Sequence, residues 1–362
     1  MLRTARFLSS FLRSASDGVQ SDEVEVLAAG EALPATLFRP RTRRSLPGWV
    51  VLHGITVPGR HHAALQRFAR ALAGSGAVVL VPEIRTWTEL TVDSGAADRA
   101  IAAAAAYLAE VDGVREGGVG VVGFSFGATQ ALITAARSAE RHSIRAVVGF
   151  GGYADLRRAI RFMFTGEHEW EGVRYHLDPD PYGRWIAVAN YLTRTAGYEE
   201  MGGVAEGCRA LAEEAGRVGG YAGDPYLDPL KMELGTALNE KERDVWKIVA
   251  PLTSGPIPLE AARALAGRIA DTALSVDPGL DPAPALPRLA ATRIVLSHGV
   301  ADHLVPFTES LRLRSLLPPD ADATVTLTRL FAHSGGAPAL RPWQYPREIW
   351  RYLRLLDRAL RA

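Results

Sequence analysis

The 362-residue sequence predicts an α/β fold, a doubly wound and mostly parallel sheet with a large helical lid inserted into it. Three observations carry that expectation. Short apolar runs without alternation recur at residues 49–52, 77–81, 119–122, 146–148 and 294–296, as suits strands buried on both faces of a parallel sheet. Helix-like segments at 62–73, 96–111 and 128–136 separate the earlier runs. From about 155 to 289 the strand rhythm stops, and amphipathic stretches take its place.

The chain opens on a segment, 1–23, in which Leu2, Phe7, Leu8, Phe11 and Leu12 share one helical face among Arg3, Arg6 and Arg13. Its apolar stretch is broken by two serines and falls short of the ~7–15 residues of a secretory signal. The expected outcome is a short helix packed on the body, with a membrane surface or a partner as the alternative contact. Two strands follow at 24–28 and 33–38, joined by a turn at Gly30. The core is expected to comprise 24–155 and 290–362, and the insertion 156–289. Helical stretches are read at 182–195, 204–218, 241–249 and 259–274, punctuated by Gly219, Gly220, Pro251 and the proline-rich 277–287, with no β run among them. The sheet resumes at Arg293 and continues through 324–330, before a last helix near 343–360.

Composition limits the function classes. Hydrophobic residues make up 48% of the chain and charged residues 22%, which is globular rather than disordered. Lys and Arg number 41 against 40 Asp and Glu, without the concentrated positive stripe that phosphate neutralisation needs, so no nucleic-acid partner is expected. No run approaches the ~20 apolar residues of a membrane span. Cys208 is the only cysteine, so no intrachain disulfide forms, and a cytoplasmic location is expected.

The chemistry lies in four short segments. Gly123-Phe-Ser125-Phe-Gly127 follows a buried strand directly and opens a helix. A serine on such a turn takes strained backbone angles, glycines two positions away let neighbouring chain pass, and the helix N-terminus favours developing negative charge. Ser125 is the candidate nucleophile and needs a base. His333, in Phe331-Ala-His-Ser-Gly-Gly336, stands just past the last strand, where a loop reaches back over the sheet's carboxyl edge. An acid must hold that base in the right tautomer. Asp302, in His298-Gly-Val-Ala-Asp302-His-Leu-Val-Pro306, is the candidate, with Asp155 after the preceding strand as its rival. Backbone N–H groups of Ile55, in Leu52-His-Gly54-Ile55, and of Phe126 are the candidate oxyanion donors.

These residues resemble the α/β-hydrolase superfamily: the His53-Gly54 turn, the 123–127 elbow, the 298–306 acid loop and the His333 loop. The likeness covers 48–155 and 290–362. It implies Ser-His-Asp hydrolysis of an ester, amide or thioester, without a cofactor. A serine at 125, rather than an aspartate, argues against dehalogenase or epoxide hydrolase chemistry. A carboxylesterase acting on a small or medium uncharged ester is the leading expectation. Alternatives at the same triad are a peptidase, thioesterase, C–C bond hydrolase or acyltransferase, and outside that class a ligand-binding protein on a hydrolase fold.

Other residues receive plainer readings. His53 shapes its loop, His61 and His62 start a helix, and Cys208 is packing. Glu167, His168, Glu169 and His176 lack i, i+4 ligand spacing, so no metal is expected. Tyr182, Trp185 and Tyr191 either line a pocket under the insertion or pack it onto the sheet. Phe162, Phe164, Trp185, Tyr191, Leu192 and Trp246 are expected to line a hydrophobic cleft.

Overall fold

Each apolar run in the first half of the chain became a central strand because it is short, β-branched and fully buried. In the computed structural model, which describes residues 2–13, 18–41, 45–138, 143–331 and 341–361, helix α1 (Leu2–Arg13) precedes the hairpin β1 (Val19–Ala28) and β2 (Glu31–Pro40). Then follow β3 (Gly48–Leu52), α2 (Ala63–Gly74), β4 (Val78–Pro82), α3 (Arg85–Thr88), α4 (Ser94–Ala109), β5 (Val119–Phe124), α5 (Phe126–Arg137) and β6 (Ile144–Phe150). β1 starts at Val19, earlier than the strand expected at Val24, because its polar first half still pairs with β2 through Val19–Pro40.

After β6 come α6 (Leu156–Thr165), β7 (Glu167–Trp170), β8 (Val173–His176), α7 (Pro181–Tyr191), α8 (Gly202–Val218), α9 (Asp228–Thr236), α10 (Glu240–Val249) and α11 (Leu259–Val276). The chain returns to the sheet in β9 (Arg293–Gly299), α12 (Thr308–Leu316), β10 (Ala323–Thr328) and α13 (Tyr345–Leu360).

The main sheet has eight strands in the order β1-β2-β4-β3-β5-β6-β9-β10. β2 runs antiparallel to both β1 and β4, and every other pairing is parallel. One face carries Val50, Leu52, Leu80, Val121, Val147 and Leu296 against α4, α5 and α12. The other packs Trp49, Val51, Val79, Val148 and Val295 against α1, α2 and α13. With helices on both faces, each central strand presents apolar side chains to two cores, which is why these runs lack alternation.

α1 is docked. Phe7 is buried, stacks on Phe11 at 5.8 Å and meets the edge of Phe68 at 5.4 Å. The Thr4 hydroxyl donates to Asp357 on α13, and Arg3 to the Leu360 carbonyl. No helix among the described residues is long and apolar enough to cross a membrane.

Because β6 and β9 are sheet neighbours, everything between them leaves and re-enters at adjacent strands. Two expectations for this insertion are corrected. It contains a β hairpin, β7–β8, with four antiparallel residue pairs. And Phe162, Phe164, Trp185, Tyr191, Leu192 and Trp246 line no cleft: all are buried, at 7% exposure or less. All but Phe162 belong to a second core that the helices build for themselves. Six helices stacked beside a sheet need apolar residues on the faces they turn to one another, and these aromatics meet that need. Trp185 shows it directly, with its ring fully buried and its Nε1–H donating to the Val249 carbonyl at 3.0 Å.

Candidate active site

Ser125 sits between β5 and α5 with φ 55° and ψ −127°, a left-handed conformation that a residue with a Cβ adopts only when its surroundings enforce it. The enforcement is visible. Its N–H donates to the Phe150 carbonyl at the end of β6 (2.7 Å), and its own carbonyl accepts from Ala128 N–H (2.9 Å). The flanking glycines permit the turn by having no side chain. A Cβ on Gly123 would lie 2.3 Å from the Gly127 carbonyl oxygen, and one on Gly127 would lie 2.7 Å from the His53 carbonyl oxygen. β5, α5 and the loop after β3 therefore close on one point, with Ser125 at its apex and the first N–H groups of α5 behind it.

The loop after β3 passes over that apex. A Cβ on Gly54 would stand 3.6 Å from Ser125 Cβ. Among the described residues the Ile55 N–H takes no hydrogen bond, whereas the Gly54 carbonyl of the same peptide plane accepts from His53 Nδ1 at 2.7 Å. Ile84 N–H donates to His53 Nε2 at 3.1 Å, so that nitrogen is unprotonated and the hydrogen is on Nδ1. A trans peptide points its N–H opposite its carbonyl, so pinning Gly54 O also aims Ile55 N–H. His53 is thus a loop-shaping residue, buried, with its ring edge-on to Trp87 at 5.4 Å.

Burial pushes the His53 imidazole down from 6.5 to about 4. The unfolded chain therefore takes up a proton near pH 6.5 that the folded chain refuses until about pH 4. The stability this ring contributes is complete above 6.5 and is lost as pH falls toward 4, by up to about 3 kcal/mol. Urea unfolding at pH 7 and pH 4.5 should show a steeper acid loss for the native chain than for His53→Gln. Equal losses would mean that the ring is not held neutral.

Asp302 follows β9, is 3% exposed, and accepts from the Leu304 and Val305 N–H groups, both at 2.9 Å. Beside it His298 is fully buried, with Nε2 2.8 Å from the Val305 carbonyl and 3.4 Å from Asp302 Oδ2. Nδ1 is 2.6 Å from the Ser310 hydroxyl. A carbonyl can only accept, so Nε2 carries the hydrogen and Nδ1 accepts from Ser310. Both ring nitrogens are engaged in holding the loop after β9 in shape.

The rival Asp155 has a different task. It is the N-cap of α6, accepting from Arg157 and Arg158 N–H at 2.9 and 3.2 Å, and its side chain is 39% exposed. Glu309, which the sequence reading passed over, holds that loop: its buried carboxylate accepts from Ala154 and Asp155 N–H, both at 2.9 Å. Burial raises its pKa against the lowering effect of those bonds. No sequence motif marks Glu309, because the N–H groups it holds lie 155 and 154 residues earlier in the chain.

His333 lies outside the described residues, so Ser125, Asp302, Ile55 and Phe126 are the candidates whose placement is seen. The four histidine and glutamate residues weighed as metal ligands are dispersed in other contacts. Glu167 pairs with Arg161 and Arg263, both at 2.9 Å. His168 stacks on Tyr175 at 5.1 Å, with Nδ1 3.2 Å from the Thr308 hydroxyl. Among the described residues no group of three or more such side chains could hold a metal ion.

Strand order, the antiparallel β2 and the strained turn after β5 define an α/β-hydrolase fold. In sequence, no family model and no curated protein matches the chain. Among solved structures it is similar to Est1E from Butyrivibrio proteoclasticus, with 12% identity and a TM-score of 0.49, over 93% of this chain and 98% of that one. It is also similar to brefeldin A esterase, described as a bacterial homologue of human hormone sensitive lipase (18%, TM-score 0.48, 98% and 86%). A third is 2,6-dihydroxy-pseudo-oxynicotine hydrolase (16%, TM-score 0.47, 98% and 74%). Likenesses this distant decide nothing about substrate, and the fold assignment stands on the chain's own topology.

Proposed function

We propose that the chain is a serine hydrolase that cleaves carboxylic esters of small or medium uncharged substrates. The observation that carries this reading is Ser125 held at φ 55° between the α5 N-terminus and the Gly54–Ile55 peptide. Strain of that kind persists where function uses it. In the proposed reaction Ser125 Oγ attacks the ester carbonyl while His333 takes its proton, and Asp302 holds His333 in the productive tautomer. The oxyanion is received by the N–H groups of Ile55 and Phe126. His333 then protonates the leaving alcohol and activates the water that releases the acid. No cofactor enters the scheme.

The preference for uncharged esters rests on the apolar cluster joined by Phe126, the chain neighbour of Ser125. Phe126, Leu156, Met163 and Leu304 are partly exposed apolar side chains packed together around Tyr153 and Val305. In this reading the insertion acts as a lid over them, excluding water and strengthening the oxyanion contacts.

A fluorophosphonate probe should label the chain on the peptide carrying Ser125. With p-nitrophenyl esters from acetate to palmitate, kcat/KM should rise by at most about fourfold per methylene, the equivalent of ~0.8 kcal/mol, and then fall once the apolar surface is covered. Casein digestion with negligible ester turnover would replace the esterase by a peptidase. A chain inert to probe and esters alike would leave a binding protein on this fold.

A further inference from the structure

One polar contact of the insertion reaches the loop that carries Ile55. Tyr182 stands in the first turn of α7, and its hydroxyl donates to the Ile55 carbonyl at 2.9 Å. Ile55 is the residue whose N–H is proposed to receive the oxyanion. Its N–H belongs to the peptide that His53 pins through Gly54 O, and its carbonyl belongs to the next peptide, which Tyr182 pins. With a hydrogen bond on each flanking plane, both φ and ψ of Ile55 are held.

The residues just before Tyr182 grip the other side of the site. Asp180 N–H donates to the His303 carbonyl at 2.7 Å, and His303 Nδ1 donates to the Asp178 carbonyl at 2.6 Å. His303 is the neighbour of Asp302. The Asp180 side chain caps α7 by accepting from Tyr182 N–H at 2.9 Å, which stiffens the turn between the two grips. A second part of the insertion also meets the oxyanion loop, since a Cβ on Gly216 in α8 would stand 3.5 Å from the Thr56 hydroxyl.

We propose that Tyr182 is a positioning residue for the Ile55 oxyanion donor, and that residues 178–182 make the active-site geometry depend on how the insertion is seated. The inference rests on the ester-hydrolase reading above. Tyr182 acts through Ile55 and does not itself touch substrate. Burial raises the pKa of its phenol, so the hydroxyl stays a donor throughout the neutral range. The donor matters only once negative charge forms on the substrate oxygen, so its loosening should be felt in the transition state and not in ground-state binding.

Tyr182→Phe removes the hydroxyl and keeps the ring. With active sites counted by fluorophosphonate titration, kcat for p-nitrophenyl butyrate should fall about tenfold, with KM within about twofold of native. That is a fraction of the 10²–10³ lost when a whole oxyanion donor is removed. A trifluoromethyl ketone, which binds as a serine adduct bearing the oxyanion, should lose affinity by a similar factor, while inhibition by butanol should not change. If native and Tyr182→Phe enzymes share the same kcat and ketone affinity, or differ only in thermal stability and active fraction, the positioning role is overturned and the hydrolase reading stands. A native chain that reacts with neither probe nor ester overturns both.

Discussion

Ser125→Ala is expected to abolish labelling by a fluorophosphonate and to lower ester turnover about 10⁴-fold or more, while thermal stability is kept or rises slightly. The two halves of that expectation come from the same geometry. Oγ is the only atom removed, and it is the atom that would form the acyl bond. The backbone at 125 is pinned by Phe150 O and Ala128 N–H whatever the side chain, so the turn does not need the hydroxyl. Alanine pays the same left-handed backbone cost as serine. Ser125→Gly is the informative companion: it should be equally inactive but more stable at fixed φ, because glycine takes this conformation freely. Undiminished labelling of Ser125→Ala would place the reactive group elsewhere and end the assignment.

How much of this was readable from sequence depended on whether one residue or a surface made the decision. Buried strands such as Trp49-Val-Val-Leu52 announce themselves, because a run apolar on both faces fits little else between two turns. The elbow was equally legible, since Gly123 and Gly127 each answer a specific steric demand. The hairpin Glu167–Trp170 and Val173–His176 was not. Its strands are short and charged, β7 half-buried and β8 exposed, so no apolar alternation marks them. The clue was in the turn: Glu171 and Gly172 both have positive φ, 49° and 79°, as a two-residue hairpin turn requires. The aromatics of the insertion misled for a different reason. Helical spacing tells which residues share a face but not whether that face meets a cleft or another helix. Trp185 and Tyr191 are buried in the second core, whereas Tyr182, one helical turn before Ile186, packs at the edge of that core and reaches the loop after β3 with its hydroxyl. Roles that depend on a partner far along the chain, such as His53 with Ile84 or Glu309 with Ala154, leave no local pattern to read.

Asp302→Asn is expected to lower kcat/KM for esters about 10⁴-fold, with the chain folded and Ser125 in place. An amide of the same shape can still accept from Leu304 and Val305 N–H through its oxygen, so the loop after β9 survives the change. What is lost is the charge and the second acceptor. The amide nitrogen would donate toward His333 and select the tautomer that cannot take the serine proton. Raising the pH should not restore the rate, because the defect is orientation of the base rather than its ionisation. Asp155→Asn provides the contrast. Asparagine is as good an N-cap as aspartate, so α6 keeps its start, and activity should stay within about threefold of native. Asp155→Ala should cost ~1 kcal/mol of stability through the lost cap while leaving the serine reactive. A Ser125-labelled enzyme crippled by Asp155→Asn and untouched by Asp302→Asn would move the acid to the end of β6. The acid loop after β9 would then be a structural element, with Asp302 serving only the turn it caps.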